Sequence, residues 1–151
     1  MKLSLHPQKT RVVELGAGGF DFLGFHYHEL RSKRTGRLAP YMWPCPSKMT
    51  AIHAKLRQQT QRSRLYVDLG DLVRGLNWII DGWRRYFEVG NSTKWLASLD
   101  WFVRQRLWGF LRKRRGTRGR LTPVAFMEWV KRSGLSSFYP KGRGLMLPCM
   151  P

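Results

Sequence analysis

The chain has 151 residues, of which 42% are hydrophobic and 13% aromatic, enough apolar side chains for the core of one modest domain or two small ones. Its 28 Lys and Arg residues outnumber 9 Asp and Glu residues, which gives a net charge of +19. A folded domain this basic repels itself, so the charge indicates a polyanionic partner, with nucleic acid favoured over a membrane surface. The sequence shows neither an apolar run of about 18 residues nor a signal-peptide pattern, and we expect a cytoplasmic protein with no membrane partner.

Residues 1–45 form the first predicted domain, a small region of β-structure. The break at Leu23-Gly24 inside an apolar strand predicts a bulge or a close backbone approach. Pro44-Cys45-Pro46 ends the region, because proline cannot donate to a sheet ladder. The predicted segments are a strand at 10–15, a glycine turn at 16–19, a strand at 20–27, a basic hairpin tip at 31–37 and a return strand at 38–43.

Residues 46–132 form the second predicted domain, which is helical because the apolar period changes from two to about 3.6. Ser47 is the expected N-cap of a first helix that runs to about Arg64, and Asp68 is the expected N-cap of the second. The third helix ends in a basic run at 112–120. The fourth begins at Thr122-Pro123 and ends near Arg132, and residues 133–151 are expected to be an irregular Gly- and Pro-rich tail.

These patterns predict an α+β chain, a small antiparallel β-sheet followed by a three-helix bundle with a short fourth helix. Gly75 and Gly82 lie inside the second helix, where each costs about 1 kcal/mol against Ala. We expect both to let another helix come close. The predicted core of the bundle consists of Leu72, Leu76, Ile79, Trp83, Phe87, Leu99, Val103 and Leu107.

The third helix carries the candidate binding surface. Between residues 104 and 120 there are eight Arg or Lys residues and no acid, and one face of the helix carries Trp101, Arg104, Trp108 and Arg112 at spacings of three and four. Guanidinium groups bind phosphates and stack on bases, and indole offers a flat face for stacking. The alternative is a solvated basic face whose tryptophans pack on the fourth helix or a neighbouring subunit. The predicted RNA-binding residues are Arg104, Trp108, Arg112, Lys113, Arg114, Arg115, Arg118 and Arg120, with Lys48, Lys55 and Arg57 of the first helix and Arg34 of the hairpin tip as further candidates.

No pattern in the sequence predicts catalysis, a metal site or a cofactor. His26, His28 and Cys45 lack the spacing of a zinc site, and there is no phosphate-binding glycine loop. Two-metal phosphoryl transfer needs clustered carboxylates. The acids here are scattered, and Asp68 and Asp71 are explained by a favourable position in the first turn of a helix.

Several separated motifs resemble the C-terminal part of group II intron-encoded reverse transcriptases, also called maturases. Lys9-Thr10 and Phe22-Leu23-Gly24-Phe25 are similar to the last palm motifs, the second of which belongs to the primer-grip region of that family. The motifs that resemble the maturase-specific thumb, or domain X, are Pro46-Ser47-Lys48, Leu76-Asn77, Gly82-Trp83-Arg84-Arg85-Tyr86-Phe87, Leu99-Asp100 and Arg106-Leu107. The resemblance covers about residues 5–115, and the motifs fall in family order.

The resemblance implies a palm edge and a thumb-like bundle that grip group II intron RNA and a template-primer RNA/DNA duplex to assist splicing. The polymerase carboxylates of the family are absent, as is the HNH-type endonuclease region, so we do not expect polymerase activity from the chain alone. Two alternatives remain open. The chain could complete a split reverse transcriptase in trans by joining an upstream palm polypeptide, or it could be a decayed remnant without function.

Overall fold

The computed structural model describes residues 18–32, 35–116 and 121–139. Several predictions fall outside the described residues. They are the strand at 10–15, the first part of the glycine turn, the RNA-binding candidates Arg34, Arg118 and Arg120, and most of the C-terminal tail.

The described part of the chain contains three strands followed by four α-helices, which confirms the predicted α+β class. The strands are β1 (Phe20–Phe22), β2 (Phe25–Arg31) and β3 (Leu38–Pro44), and the helices are α1 (Pro46–Gln59), α2 (Leu69–Phe87), α3 (Thr93–Arg115) and α4 (Pro123–Arg132). A short 3₁₀ turn at Arg62–Arg64 lies between α1 and α2. None of the described helices combines the length and the apolar composition that a membrane span requires.

The three strands form one antiparallel sheet in the order β1-β2-β3. Phe22 pairs with Phe25, so Leu23 and Gly24 are the two central residues of a tight hairpin turn. Both have positive φ, 48° and 82° respectively, as in the type I′ turn that suits the twist of antiparallel strands. The single strand predicted at 20–27 and the bulge predicted inside it are therefore wrong, because the chain reverses direction at these two residues and continues as a second strand.

The sheet is joined to the helices at two places. Phe25, only 7% exposed, lies with its ring centroid 5.6 Å from that of Tyr86 and 4.9 Å from that of Phe87 on α2. At the α2–α3 loop, the backbone N–H of Asn91 donates to the carbonyl of Met42 at 2.8 Å. A Cβ on Gly90 would lie 2.8 Å from the same carbonyl oxygen, so this close approach requires glycine.

The first helix begins and ends earlier than predicted. Cys45 is its N-cap residue and makes no side-chain capping bond, while Ser47 lies inside the helix. Pro46 starts the helix because its fixed φ suits the first helical position, which moves the cap one residue ahead of the proline. The helix ends at Gln59, where the Thr60 hydroxyl donates to the Leu56 carbonyl at 2.8 Å.

The predicted cap of α2 and the predicted start of α4 at Thr122-Pro123 are confirmed. The Asp68 carboxylate accepts hydrogen bonds from the backbone N–H groups of Gly70 at 2.7 Å and Asp71 at 3.4 Å. These bonds, Gly70 first, lower the pKa of Asp68 from its ordinary value of 3.8. The Thr122 hydroxyl accepts from the N–H of Ala125 at 3.2 Å and caps α4.

The core lies among α1, α2, α3 and α4. Six of the eight predicted core residues are buried, namely Leu72, Leu76, Phe87, Leu99, Val103 and Leu107. Ile79 and Trp83 are half-buried at its edge. Phe138, beyond the last helix, is fully buried in the same cluster, so part of the expected irregular tail packs against the bundle.

The two helix glycines differ in their surroundings. A Cβ on Gly75 would lie 3.4 Å from the side-chain oxygen of Gln59 on α1, whereas a Cβ on Gly82 would meet no atom of the described structure within 4 Å. The prediction that Gly82 admits a neighbouring helix is therefore wrong. Gly82 instead lies on an open groove between α1 and α2.

Candidate nucleic-acid interface

The C-terminal turn of α3 carries a cluster of exposed cations. The buried face of α3 runs from Leu96 to Leu111 and anchors the helix on the core. Beyond it, Arg112, Lys113 and Arg115 are exposed, and we call these three residues the basic end of α3. The ion pairs found among the described residues join His26 to Asp21, Arg74 to Asp71 and Arg84 to Asp81, so none of them involves α3.

Two other arginines of α3 are held by backbone oxygens instead. Arg114 donates to the carbonyls of Leu65, at 3.0 Å, and Val67 in the α1–α2 connection. Arg106 donates to the hydroxyl and the carbonyl of Thr60, both at 3.0 Å. These carbonyl groups belong to the α1–α2 connection, where the end of a helix leaves backbone oxygens without helical partners. Both arginines therefore hold that connection against α3.

The tryptophans of α3 have different environments. Trp108 is half-buried, and its ring lies edge-on to that of the buried Phe126 on α4, with 5.2 Å between centroids. Packing on the fourth helix was the alternative that the sequence left open for this residue. Trp101 is 46% exposed, and Arg104, one turn further along, is half-buried.

The candidate cations of α1 lie on two sides of that helix. Arg57 lies over the ring of Phe102 at 5.4 Å, in the geometry of a cation–π contact. Burial and the nearby Arg57 charge lower the pKa of His53, whose ring also packs edge-on to Phe102. Lys48 and Lys55 line the groove toward α2.

The turn that resembles a primer grip forms one end of that groove. Gly24 is close to the aliphatic part of Lys48, and the Tyr86 hydroxyl donates to the Leu23 carbonyl at 2.7 Å. Phe22 and Leu23 are 57% and 66% exposed, whereas Phe25 is buried. The turn is therefore held against α2 by the Leu23 carbonyl and the buried Phe25, while the side chains of Phe22 and Leu23 face outward.

The α1–α2 groove was not predicted. It has a volume of about 810 Å³ and is lined by residues of the turn, α1 and α2, among them Lys48, Lys55, Trp78, Gly82 and Tyr86. Trp78 on its rim is 84% exposed. One signal was present in the sequence, since Trp78 is a large aromatic residue outside the apolar face of α2.

The sequence predicted no role for three polar residues of the family motifs, Asn77, Arg84 and Asp100. In the structure all three contact the segment that follows α4. The Asp100 carboxylate accepts from the backbone N–H groups of Phe138 at 2.7 Å and Tyr139 at 2.9 Å and from the Ser137 hydroxyl at 2.6 Å. Further bonds to the same segment come from the Asn77 side chain, to Gly134 and Ser136, and from Arg84 to the Ser137 carbonyl. We call Asn77, Arg84 and Asp100 with residues 134–139 the C-terminal latch.

His26 and His28 lie on the face of the sheet opposite Phe25. The His26 ring nitrogen Nδ1 is 2.6 Å from the Asp21 carboxylate, and the two imidazole rings are 6.0 Å apart. Within the ranges that the structure describes, no group of three or more His, Cys, Asp or Glu residues is arranged to hold a metal ion. Cys45 is buried, and its Sγ lies 3.1 Å from the Ser47 hydroxyl.

Comparison with known proteins identifies the helical part of the chain. The family model for the group II intron, maturase-specific domain matches residues 49–124, about half of the chain, from α1 to the start of α4. No curated protein and no solved structure gave a match. The match agrees with the resemblance found in the motifs of α2 and α3, and the chain belongs to the group II intron maturase family.

Proposed function

We propose that the chain binds structured intron RNA through the basic end of α3 and thereby stabilises the RNA fold that splicing requires. The observation that carries this proposal is the exposure of Arg112, Lys113 and Arg115 without a carboxylate partner among the described residues. A maturase-type role in group II intron function follows from the family. The contact surface and its mode of action are proposed here.

A structural explanation accounts for only part of this cluster. Cations in the last turn of a helix interact favourably with its dipole, by about 0.3–1 kcal/mol each at an exposed site. Adjacent cations also repel one another, and that repulsion grows with each charge added. The buried face of α3 already anchors the helix on the core, so its stability does not require three further cations in the last turn. Phosphate binding is the better explanation of these charges.

The test is the salt dependence of binding to a structured RNA. Replacing Arg112, Lys113 and Arg115 by Ala should reduce the slope of log affinity against log salt by about 2 to 3, the loss expected for three phosphate contacts. The matched control replaces Arg37, Arg85 and Lys94, which are also exposed and carry the same charge. Arg85 and Lys94 lie at the opposite end of the bundle, near the α2–α3 loop.

Circular dichroism on both triple variants should show an unchanged helical signal. An equal loss of slope in the two variants would mean that binding follows net charge alone, and it would contradict the assignment to the basic end of α3. No binding by the wild-type chain at low salt would contradict the proposed function itself.

A second candidate function is the completion of a split reverse transcriptase, and the sheet supplies the observation that favours it. β1 is at the edge of the described sheet, and its last residue Phe22 and the following Leu23 are largely exposed. An edge strand with apolar neighbours can accept a strand from another polypeptide. Under this candidate the occupant is an upstream palm polypeptide.

Nucleotide incorporation on a primed RNA template distinguishes the two candidates. The lone chain should bind without extending the primer, since in-line transfer needs two metal ions held by carboxylates. Mg²⁺-dependent extension that requires both polypeptides would support the second candidate. Extension by the lone chain, lost in Asp21→Ala, would reveal an active site and contradict both.

A further inference from the structure

Trp78 is the most unusual side chain of the α1–α2 groove. It lies in the middle of a 19-residue helix, yet 84% of it is exposed. It makes no ring–ring contact with another aromatic residue of the described structure, whereas Trp83, five residues further along, packs on Phe87 and Phe138. An indole left in water contributes nothing to the core, so packing within the described part of the chain does not explain Trp78.

Gly82 gives an independent indication at the same place. Glycine inside a helix costs about 1 kcal/mol relative to alanine, so its presence calls for a packing or functional reason. Gly82 lies on the groove one turn after Trp78, and nothing in the described structure lies within 4 Å of the position that its Cβ would take. The space above the helix backbone is therefore open to an external group.

The charges that line the groove select the kind of occupant. Lys48 and Lys55 lie on its α1 wall, two turns and about 10 Å apart along the helix. No acidic residue belongs to the described lining. A groove with cations on one wall, an exposed indole on the other and no carboxylate is complementary to a nucleotide, whose phosphates are anionic and whose base has a flat π-face.

We infer that the α1–α2 groove holds an unpaired nucleotide of an RNA strand, with its base on the indole of Trp78 and the adjoining phosphates at Lys48 and Lys55. The volume of about 810 Å³ lies in the range of pockets that enclose small organic ligands. An unpaired base is required, because the bases of a duplex are stacked on one another and do not offer their faces. The inference rests on the proposed RNA binding and adds a site separate from the basic end of α3.

The experiment compares a single-stranded RNA with a blunt-ended RNA duplex whose bases are all paired, each titrated against the full chain and Trp78→Ala. Stacking of one base on an aromatic side chain makes binding tighter by roughly 5- to 150-fold. Trp78→Ala should weaken binding of the single strand by a factor in that range and leave binding of the duplex almost unaffected. Trp78→Phe should recover most of the loss. The matched control is Tyr66→Ala, because Tyr66 is equally exposed at 85% and lies outside the groove.

A second variant tests the groove without removing an aromatic residue. Gly82→Leu adds a side chain to open space and raises helix propensity, so its thermal unfolding should occur at or above the wild-type temperature. It should nevertheless weaken single-strand binding by tenfold or more, because the new side chain occupies the place of the base. A photo-crosslink from a 4-thiouridine in the single strand should map to Trp78 or its neighbours on α2.

Three results would overturn the inference. The first is wild-type binding of the single strand by both Trp78→Ala and Gly82→Leu while the basic-end variant loses affinity, which would leave the proposed function intact. The second is an equal loss of affinity for the duplex and for the single strand. The third is self-association of the wild-type chain in sedimentation that Trp78→Ala abolishes, since the groove would then be a contact between copies.

Discussion

The C-terminal latch and the basic end of α3 are two polar regions of one bundle, and they differ in whether their charged groups have partners within the described structure. In the latch, Asp100 accepts three hydrogen bonds from the segment that follows α4, and Arg84 donates to a carbonyl of the same segment. At the basic end, Arg112, Lys113 and Arg115 have no carboxylate partner in the described part of the chain. Family motif residues of the latch therefore hold the fold, while the exposed cations of the basic end are the ones that the proposed function assigns to RNA.

The largest effect should come from the apolar residue that the latch places in the core. Phe138 is fully buried, with its ring edge-on to Trp83 at 5.8 Å. Phe138→Ala should lower the free energy of unfolding by about 3–5 kcal/mol, as for other large-to-small core changes. Urea unfolding measures this, with the 70% exposed Val124→Ala as control. If both variants were as stable as the wild type, the latch would not be part of the folded domain.

Asp100→Ala tests the polar part of the latch. Two backbone N–H groups and one hydroxyl lose their acceptor, which should cost about 2–4 kcal/mol, given that each bond to a charged group contributes about 1.5–3 kcal/mol and the site is partly exposed. Asp81→Ala should lower stability clearly less, because Asp81 makes fewer and longer contacts than Asp100. It accepts from the Ser136 hydroxyl at 3.2 Å and pairs with Arg84 at 3.4 Å. Equal losses in thermal melts would show that Asp100 has no special position.

The two tryptophans of α3 extend the comparison to aromatic residues. Trp108→Ala should lower stability by about 2 kcal/mol, since the half-buried indole packs on Phe126. Trp101→Ala, at a 46% exposed position, should change stability by less than about 1 kcal/mol. Reversal of this order in unfolding experiments would mean that Trp108 is available to RNA and Trp101 is structural.

Arg114 and Arg115 are neighbours of identical chemistry with different partners, and so form the closest matched pair. Arg114→Ala leaves the carbonyls of Leu65 and Val67 without their donor and should reduce stability by about 1 kcal/mol. Arg115→Ala should leave stability unchanged and reduce the salt slope of RNA binding by about 1. Identical behaviour of the two variants in both measurements would remove the distinction between structural and binding cations.

The smallest effect concerns the cap of α2. Its hydrogen bonds lower the pKa of Asp68 below 3.8 in the folded chain, so the unfolded chain binds a proton more readily. The contribution of the charged cap is therefore complete above pH 3.8 and is lost as the pH falls through the folded value. Asp68→Asn should remove this pH dependence while keeping a capping oxygen. Parallel acid dependence of the two proteins in urea unfolding would contradict it.

The sequence was sufficient for the elements whose signals are local. The helical period of α2, the caps Asp68 and Thr122, and the strands on both sides of the hairpin tip all depend on neighbours within a few residues. The family motifs were recognisable for the same reason, since their residue order lies in the chain itself. The start of α1 was misplaced because Pro46 and Ser47 both favour a helix beginning, and the sequence alone did not rank them.

Only the tertiary structure decided which polar and aromatic residues are free. Arg114 and Arg115 are indistinguishable in sequence, and their contacts differ because Arg114 reaches carbonyls 47 and 49 residues away. Trp78 and Trp108 are both aromatic residues of amphipathic helices, but α4 covers the second and no described element covers the first. Local signals determine where a helix lies, whereas the partner of each side chain depends on distant segments brought together by the core.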